Sequence, residues 1–166
     1  MKVTTAEETS IEALKDVPVA VIGYGAQGRA QAQCFHDSGL DVTVGVREGG
    51  ASWELAKKDG LKVTSIEAAA EGAQVIHILI PDEVQSSVYQ KYIARHVTKG
   101  KTLSFSHGFN ILFGYVTPPE DVDCILVAPK APGTEERKAY LEGFGVPGLV
   151  AVEQDATGNA RDKAMA

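Results

Sequence analysis

A chain of 166 residues, 44% hydrophobic and 23% charged, has apolar material for one folded domain that buries roughly 70% of its unfolded surface, which excludes bulk disorder. Its formal net charge of −6 gives no general attraction to nucleic acid or to an anionic membrane, and leaves room only for a local basic pocket. The N-terminal Met1-Lys2-Val3-Thr4-Thr5-Ala6-Glu7-Glu8 has no apolar signal core, and no apolar run can span a bilayer, so a soluble, cytoplasmic protein is expected.

Short apolar runs alternate with helical patterns, as in a mostly parallel sheet with helices on both faces. Strands are predicted over 18–22, 41–46, 62–64, 74–80, 102–106, 123–127 and 149–152, several with the near-continuous Val/Ile content of strands covered on both sides. Helices are predicted over 26–37, 51–58, 66–71, 82–95 and 132–142, with weaker signals over 9–14 and 157–166. Ser38-Gly39 and Lys99-Gly100 supply helix stops. A helix as short as the last is marginal unless something packs on it. Cys34 and Cys124 lack metal-ligand spacing and read as buried free thiols.

Val19 to Ile22 run straight into Gly23-Tyr24-Gly25-Ala26-Gln27-Gly28, and the helical stretch Arg29 to Asp37 follows. In such a turn the first glycine permits the tight bend, the second lets backbone approach a pyrophosphate, and the third allows close helix–strand packing. Free N–H groups at the helix start then face the phosphates. The fold class is therefore read as α/β, a Rossmann-like doubly wound sheet, with dinucleotide binding as its use.

About twenty residues further on, Val46-Arg47-Glu48-Gly49-Gly50-Ala51-Ser52 follows the second strand, where such folds distinguish NAD from NADP. Arg47 with Ser52 can hold a 2′-phosphate, whereas Glu48 can accept from a free ribose diol and repel that phosphate. Both choices stay open. Pro81 ends the fourth strand and Asp82 is expected to cap the next helix, with Asp82-Glu83-Val84-Gln85 at the ligand-bearing edge of the sheet.

His107, on the turn Ser106-His107-Gly108-Phe109-Asn110, ends the fifth strand, and a histidine there can exchange protons near neutral pH. Lys130 follows the sixth strand between Pro129 and Pro132, which stiffen the loop that carries it. His36, His77 and His96 lack such placement and read as structural or surface residues. Glu120, Asp121 and Asp123 read as a loop and strand entry rather than a metal cluster.

Taken together, the glycine turn, Val44-Gly45-Val46-Arg47, Pro81-Asp82-Glu83-Val84-Gln85, Ser106-His107-Gly108-Phe109-Asn110, Ala128-Pro129-Lys130 with Pro132-Gly133, and Gln154-Asp155-Ala156-Thr157-Gly158 closely resemble the N-terminal domain of ketol-acid reductoisomerase. The resemblance implies an NADP(H)-binding domain whose family partner, a helical knotted C-terminal domain, supplies carboxylates for two Mg²⁺ ions. It also implies conversion of 2-acetolactate or its homologue to a 2,3-dihydroxy acid by alkyl migration and hydride reduction. Residue by residue, it puts Tyr24, Gly25, Ala26 and Gln27 at the pyrophosphate and Arg47 and Ser52 at the adenosine end. Asp82 to Gln85 then lie beside the cofactor and Gly133 near the nicotinamide, with His107 and Lys130 as catalytic residues.

The chain departs from that pattern at Arg29, where histidine is common, at Ala131, where glycine is, and at Gly50, where a serine often meets the 2′-phosphate. Gly50 and Glu48 both lean away from NADP, so NADP(H) and NAD(H) remain alternatives. Residues 1–166 are expected to form one dinucleotide-binding domain, with about 156–166 starting a helical domain that is absent or supplied by a partner. Mg²⁺ is expected only if another domain or chain brings carboxylates. The expected substrate is a small 2-keto or ketol acid, with no nucleic acid or membrane partner and a homo-oligomer or partner domain left open. An oxidoreductase and a non-catalytic nucleotide-binding module are the two readings that follow.

Overall fold

The structure, a computed structural model, describes residues 3–166. One seven-stranded sheet has the order β3-β2-β1-β4-β5-β6-β7. Its strands are β1 Val19–Ile22, β2 Val42–Gly45, β3 Lys62–Thr64, β4 Val75–Ile78, β5 Thr102–Phe105, β6 Asp123–Pro129 and β7 Gly148–Gln154. The first six run parallel and β7 runs antiparallel to β6. The helices are α1 Ala26–Asp37, α2 Ala51–Lys58, α3 Ile66–Gly72, α4 Asp82–Val88, α5 Phe109–Leu112, α6 Gly133–Leu141 and α7 Ala160–Met165. Chain direction through the sheet reverses between β1 and β4, and at such a switch point the carboxyl ends of the strands leave a crevice.

Side chains alternate across the sheet and both faces are covered, so the strands read as continuous apolar runs. Val19, Val21, Val42 and Val44 pack with Ala32 of α1 and Ala56 of α2 on one face. Ile22, Ile76, Ile78, Leu103 and Phe105 pack with Ala69 and Ala70 of α3 on the other. Small alanines let these helices lie close to the strands.

Several expectations change. The fourth helix is α-helical only to Val88, and then widens into a π turn over Tyr89–Ile93 and a 3₁₀ turn over Ala94–His96. Tyr89 and Ile93 are both buried there, so the π turn keeps two core residues against the sheet. Asp82 does not cap its helix: Pro81 holds the cap position, without a side-chain cap bond, and the Asp82 carboxylate is engaged elsewhere. The weak N-terminal signal resolves into 3₁₀ turns, Ala6–Glu8 and Ile11–Leu14. Cys34 is only half-buried while Cys124 is buried, and both are free. β7 is exposed along Gly148–Glu153, unlike the central strands, because it lies at the sheet edge.

The short last helix has its packing partner. Ala160 and Ala164 of α7 bury against Ile125, and Lys163 Nζ donates to Asp123 Oδ2 at 2.7 Å and to Thr102 Oγ1 at 3.1 Å. Thr157 donates to the same carboxylate from its N–H at 2.9 Å and its hydroxyl at 2.7 Å. Burial alone would raise the Asp123 pKa, but the hydrogen bonds from Lys163 and Thr157 outweigh it and hold the value below the ordinary carboxylate range. No helix among the described residues is long and apolar enough to cross a membrane.

Candidate functional site

The glycines of the first turn divide by what surrounds them. Gly23 has φ +102°, and a Cβ there would lie 2.7 Å from Ile80 Cγ2 and 2.8 Å from the Leu79 carbonyl oxygen. At Gly28 a Cβ would come within 2.3 Å of the Gly23 carbonyl oxygen. Both are therefore required by the crossing of β1, α1 and the end of β4. Gly25 differs: nothing lies within 4 Å of its missing Cβ. It caps α1 without a side-chain bond, so the first N–H groups of a twelve-residue helix open onto free space. An open helix start of this kind suits an anion.

The Tyr24 side chain braces the turn. Its ring is buried, and its hydroxyl donates to Asp59 Oδ2 at 2.9 Å. Arg29 binds the same carboxylate through Nε at 2.7 Å and an Nη at 3.0 Å. The Arg29 hydrogen bond holds the Asp59 pKa below its ordinary value, while burial and the carboxylate push the Tyr24 phenol up. Arg29, a departure from the family pattern, thus ties the start of α1 to the end of α2.

A cleft of about 830 Å³ runs along this edge of the sheet. Arg47, Gly50, Ser52, Gly23 to Gln27, Pro81 and Val84 line it, with Ile66, Leu79 and Ile80 giving apolar surface. Gly45 also lines it, and a Cβ there would meet Ile22 Cδ1 at 2.7 Å and Ala69 Cβ at 2.8 Å. Sequence reasoning did not single out Gly45 as a site residue, although a glycine inside a strand signals close packing or close backbone approach. Arg47 and Glu48 are exposed, and neither side chain makes a hydrogen bond among the described residues. Glu48 lies on the turn beside the cleft rather than in its wall.

A second hollow, of about 260 Å³, shares Gln27, Leu79, Ile80 and Pro81 with the first and continues to Asp82, Gln85, Ser106, His107 and Pro129. Here His107 Nδ1 bonds Asp82 Oδ2. Gln85 Nε2 donates to Asp82 Oδ1 at 3.2 Å and to the Ile80 carbonyl at 2.8 Å. Asn110 Nδ2 donates to the Asp82 carbonyl at 3.0 Å and to Gln85 Oε1 at 3.1 Å. Gln85 and Asn110 are both buried. Lys130 is exposed just past β6, and its N–H donates to the Pro147 carbonyl at 2.8 Å. Because β5 and β6 are parallel neighbours, His107 and Lys130 leave the sheet at the same edge.

A buried polar chain supports this end. Gln27 Nε2 donates to the Ala131 carbonyl at 2.8 Å. Gln31 Nε2 reaches Gln27 Oε1 and Ser106 Oγ, each at 3.3 Å, and its Oε1 bonds His77 Nε2 at 2.6 Å. His77 is wholly buried, and desolvation drives its pKa down to about 4, with the Ser104 backbone only partly offsetting it. His77 is thus a neutral structural histidine. Ser106, Gln31 and Asn110 were not singled out from sequence, where isolated polar residues carry no sign that they meet.

Gly23, Tyr24, Gly25, Ala26, Gln27, Arg47, Gly50, Ser52 and Val84 therefore line the long cleft, and Asp82, Gln85 and His107 line its continuation. Gly28 and Gly133 are buried behind it: a Cβ on Gly133 would fall 2.1 Å from the Ala26 carbonyl oxygen, which makes that position a contact between α6 and the glycine turn. Glu83 is exposed and lines neither hollow. Among the described residues no group of three or more His, Cys, Asp or Glu side chains can hold a metal ion, so the residues present do not fit the paired Mg²⁺ ions that the resemblance implies.

The family profile described as acetohydroxy acid isomeroreductase, NADPH-binding domain, matches residues 13–166. Ketol-acid reductoisomerase (NADP(+)) of Methanocaldococcus jannaschii is 58% identical over 165 residues, covering 99% of this chain and 50% of that protein. Ketol-acid reductoisomerase (NAD(+)) of an uncultured archaeon is 57% identical over 171 residues, covering 100% and 52%. The structure of an NADH-preferring ketol-acid reductoisomerase from an uncultured archean superposes with a TM-score of 0.95 at 55% identity, covering 99% of this chain and 51% of that one. The chain spans about half the length of these relatives. It belongs to the acetohydroxy acid isomeroreductase family, over the part that forms its NADPH-binding domain.

Proposed function

We propose that this chain is the hydride-donor half of a ketol-acid reductoisomerase: it binds NADPH or NADH along the switch-point cleft for reduction of a small 2-keto or ketol acid such as the acetolactate isomer. The observation that carries this is the continuity of the cleft from Arg47 and Ser52, past the open N-terminus of α1, to His107. When bound, the nucleotide supplies a hydride. Gly25 and Ala26 present backbone N–H groups to its pyrophosphate, and Arg47 and Ser52 face its adenosine ribose. Leu79, Ile80 and Pro81 exclude water between the two ends. His107 takes or gives a proton at the substrate oxygen, and Lys130 places a cation at the same edge of the sheet.

A second reading, a nucleotide-binding module with no turnover of its own, is favoured by the lack of a metal-binding carboxylate group among the described residues. An assay with acetolactate, Mg²⁺ and each nucleotide separates the two. The hydride-donor reading expects dihydroxy acid once the remaining half of a relative's polypeptide is supplied, and turnover by the chain alone excludes the second reading. Nucleotide binding with no product even after that addition excludes the first.

A further inference from the structure

The geometry points to Asp82 as a positioning residue that fixes the tautomer and orientation of His107, an inference that rests on the proposed role of His107 at the reducing end of the cleft. A carboxylate only accepts, so the proton of a neutral His107 ring sits on Nδ1 and is donated to Asp82 Oδ2. Nε2 is left as the basic nitrogen, and it makes no hydrogen bond among the described residues.

This bond joins the first residue of α4 to the turn after β5, 25 residues away, rather than serving the helix end. A first-turn carboxylate ordinarily serves the free N–H groups of its own helix, yet no side-chain cap bond forms at α4. Asp82 is held from behind. Gln85 binds its other carboxylate oxygen, Asn110 binds its backbone carbonyl, and Asn110 and Gln85 bind each other. Two buried amides are committed to the placement of one carboxylate. The His107 ring, whose side chain is 69% exposed, also stacks on Phe109 with the planes 4° apart and the centroids 6.4 Å apart. An exposed imidazole would otherwise sample several rotamers and both tautomers. Here one carboxylate and one ring constrain it.

The test is ¹⁵N spectroscopy of the histidine rings at alkaline pH, with wild type, Asp82→Asn and Gln85→Met compared. In wild type the Nδ1–H form of His107 should predominate. Asp82→Asn, nearly the same shape, can offer its amide N–H or its oxygen, so the Nδ1–H to Nε2–H ratio should fall about ten-fold or more, the scale of a charge-assisted hydrogen bond. Gln85→Met should give an intermediate ratio, because it frees one oxygen of Asp82 without removing the carboxylate. His77, which touches neither residue, reports the fold by keeping its Nε2 signal. A wild-type ring mainly in the Nε2–H form, or a ratio unchanged in Asp82→Asn, overturns the inference. NADPH and NADH titrated into the same samples test the underlying site: absence of binding with the wild-type tautomer intact removes the proposed function and leaves the Asp82–His107 geometry standing.

Discussion

Gln27 and Ala131 lie 104 residues apart in sequence and are joined by a 2.8 Å hydrogen bond from the Gln27 amide to the Ala131 carbonyl. That bond, with Gly133 against the Ala26 carbonyl, couples the glycine turn to the loop that carries Lys130. Gln27→Leu should therefore loosen both. We expect a stability loss of about 1 kcal/mol from the missing bond and the unpaired carbonyl, read by urea unfolding, with several-fold weaker nucleotide binding in the same variant.

The glycines separate packing from ligand binding. Gly28→Ala places a Cβ 2.3 Å from a carbonyl oxygen, and Gly133→Ala places one 2.1 Å from another. Each should cost about 1–3 kcal/mol in urea unfolding, because backbone must shift to admit a methyl group. Gly25→Ala faces open space and should leave the unfolding midpoint near wild type while weakening nucleotide binding.

Acid and base act on different residues. Asp59 titrates below its unfolded value because Arg29 binds it, so its contribution is present above a pH of about 4 and is lost as the pH falls through the folded value. Arg29→Ala should flatten that acid limb. Glu136 behaves oppositely: burial raises its pKa to about 7, and Oε2 has no partner. Stability tied to its protonated form is full below a pH of about 4.3 and is lost as the pH rises through about 7. Thermal melts should show Glu136→Gln more stable than wild type at pH 8 and close to it at pH 4.

In the proposed function, cofactor choice rests on the turn after β2. Glu48→Gln removes a negative charge near the adenosine end and should raise the NADPH-to-NADH affinity ratio by about five-fold, the scale of one nearby charge in a solvated site. Arg47→Ala should lower the same ratio, by about ten-fold, through loss of a phosphate partner. Paired titrations with both nucleotides measure these changes.

Much of this was legible in the sequence, for physical reasons. Bounds of α1, α2 and β3 follow directly from glycine turns, helix stops and apolar periodicity, because those signals are local. The roles within the glycine turn were only half legible. Spacing marks Gly23, Gly25 and Gly28 together, but only the surroundings show that Gly25 alone faces open space. Asp82 looked like a cap because the residue after a strand-ending proline commonly is one, whereas its partner, His107, is 25 residues away. Likewise the Asp123–Lys163 pair, which docks α7, joins residues 40 positions apart. Such long-range polar pairs leave no periodic trace.

The proposed function puts the nucleotide pyrophosphate at the open helix start at Gly25. Fluorescence or calorimetric titration of NADPH and NADH into wild type and Gly25→Asp tests it most directly. Saturable binding is expected for wild type, and none for a variant that folds normally but fills the phosphate space with a carboxylate. Unaltered binding to folded Gly25→Asp, or no binding of either nucleotide to wild type, would contradict it.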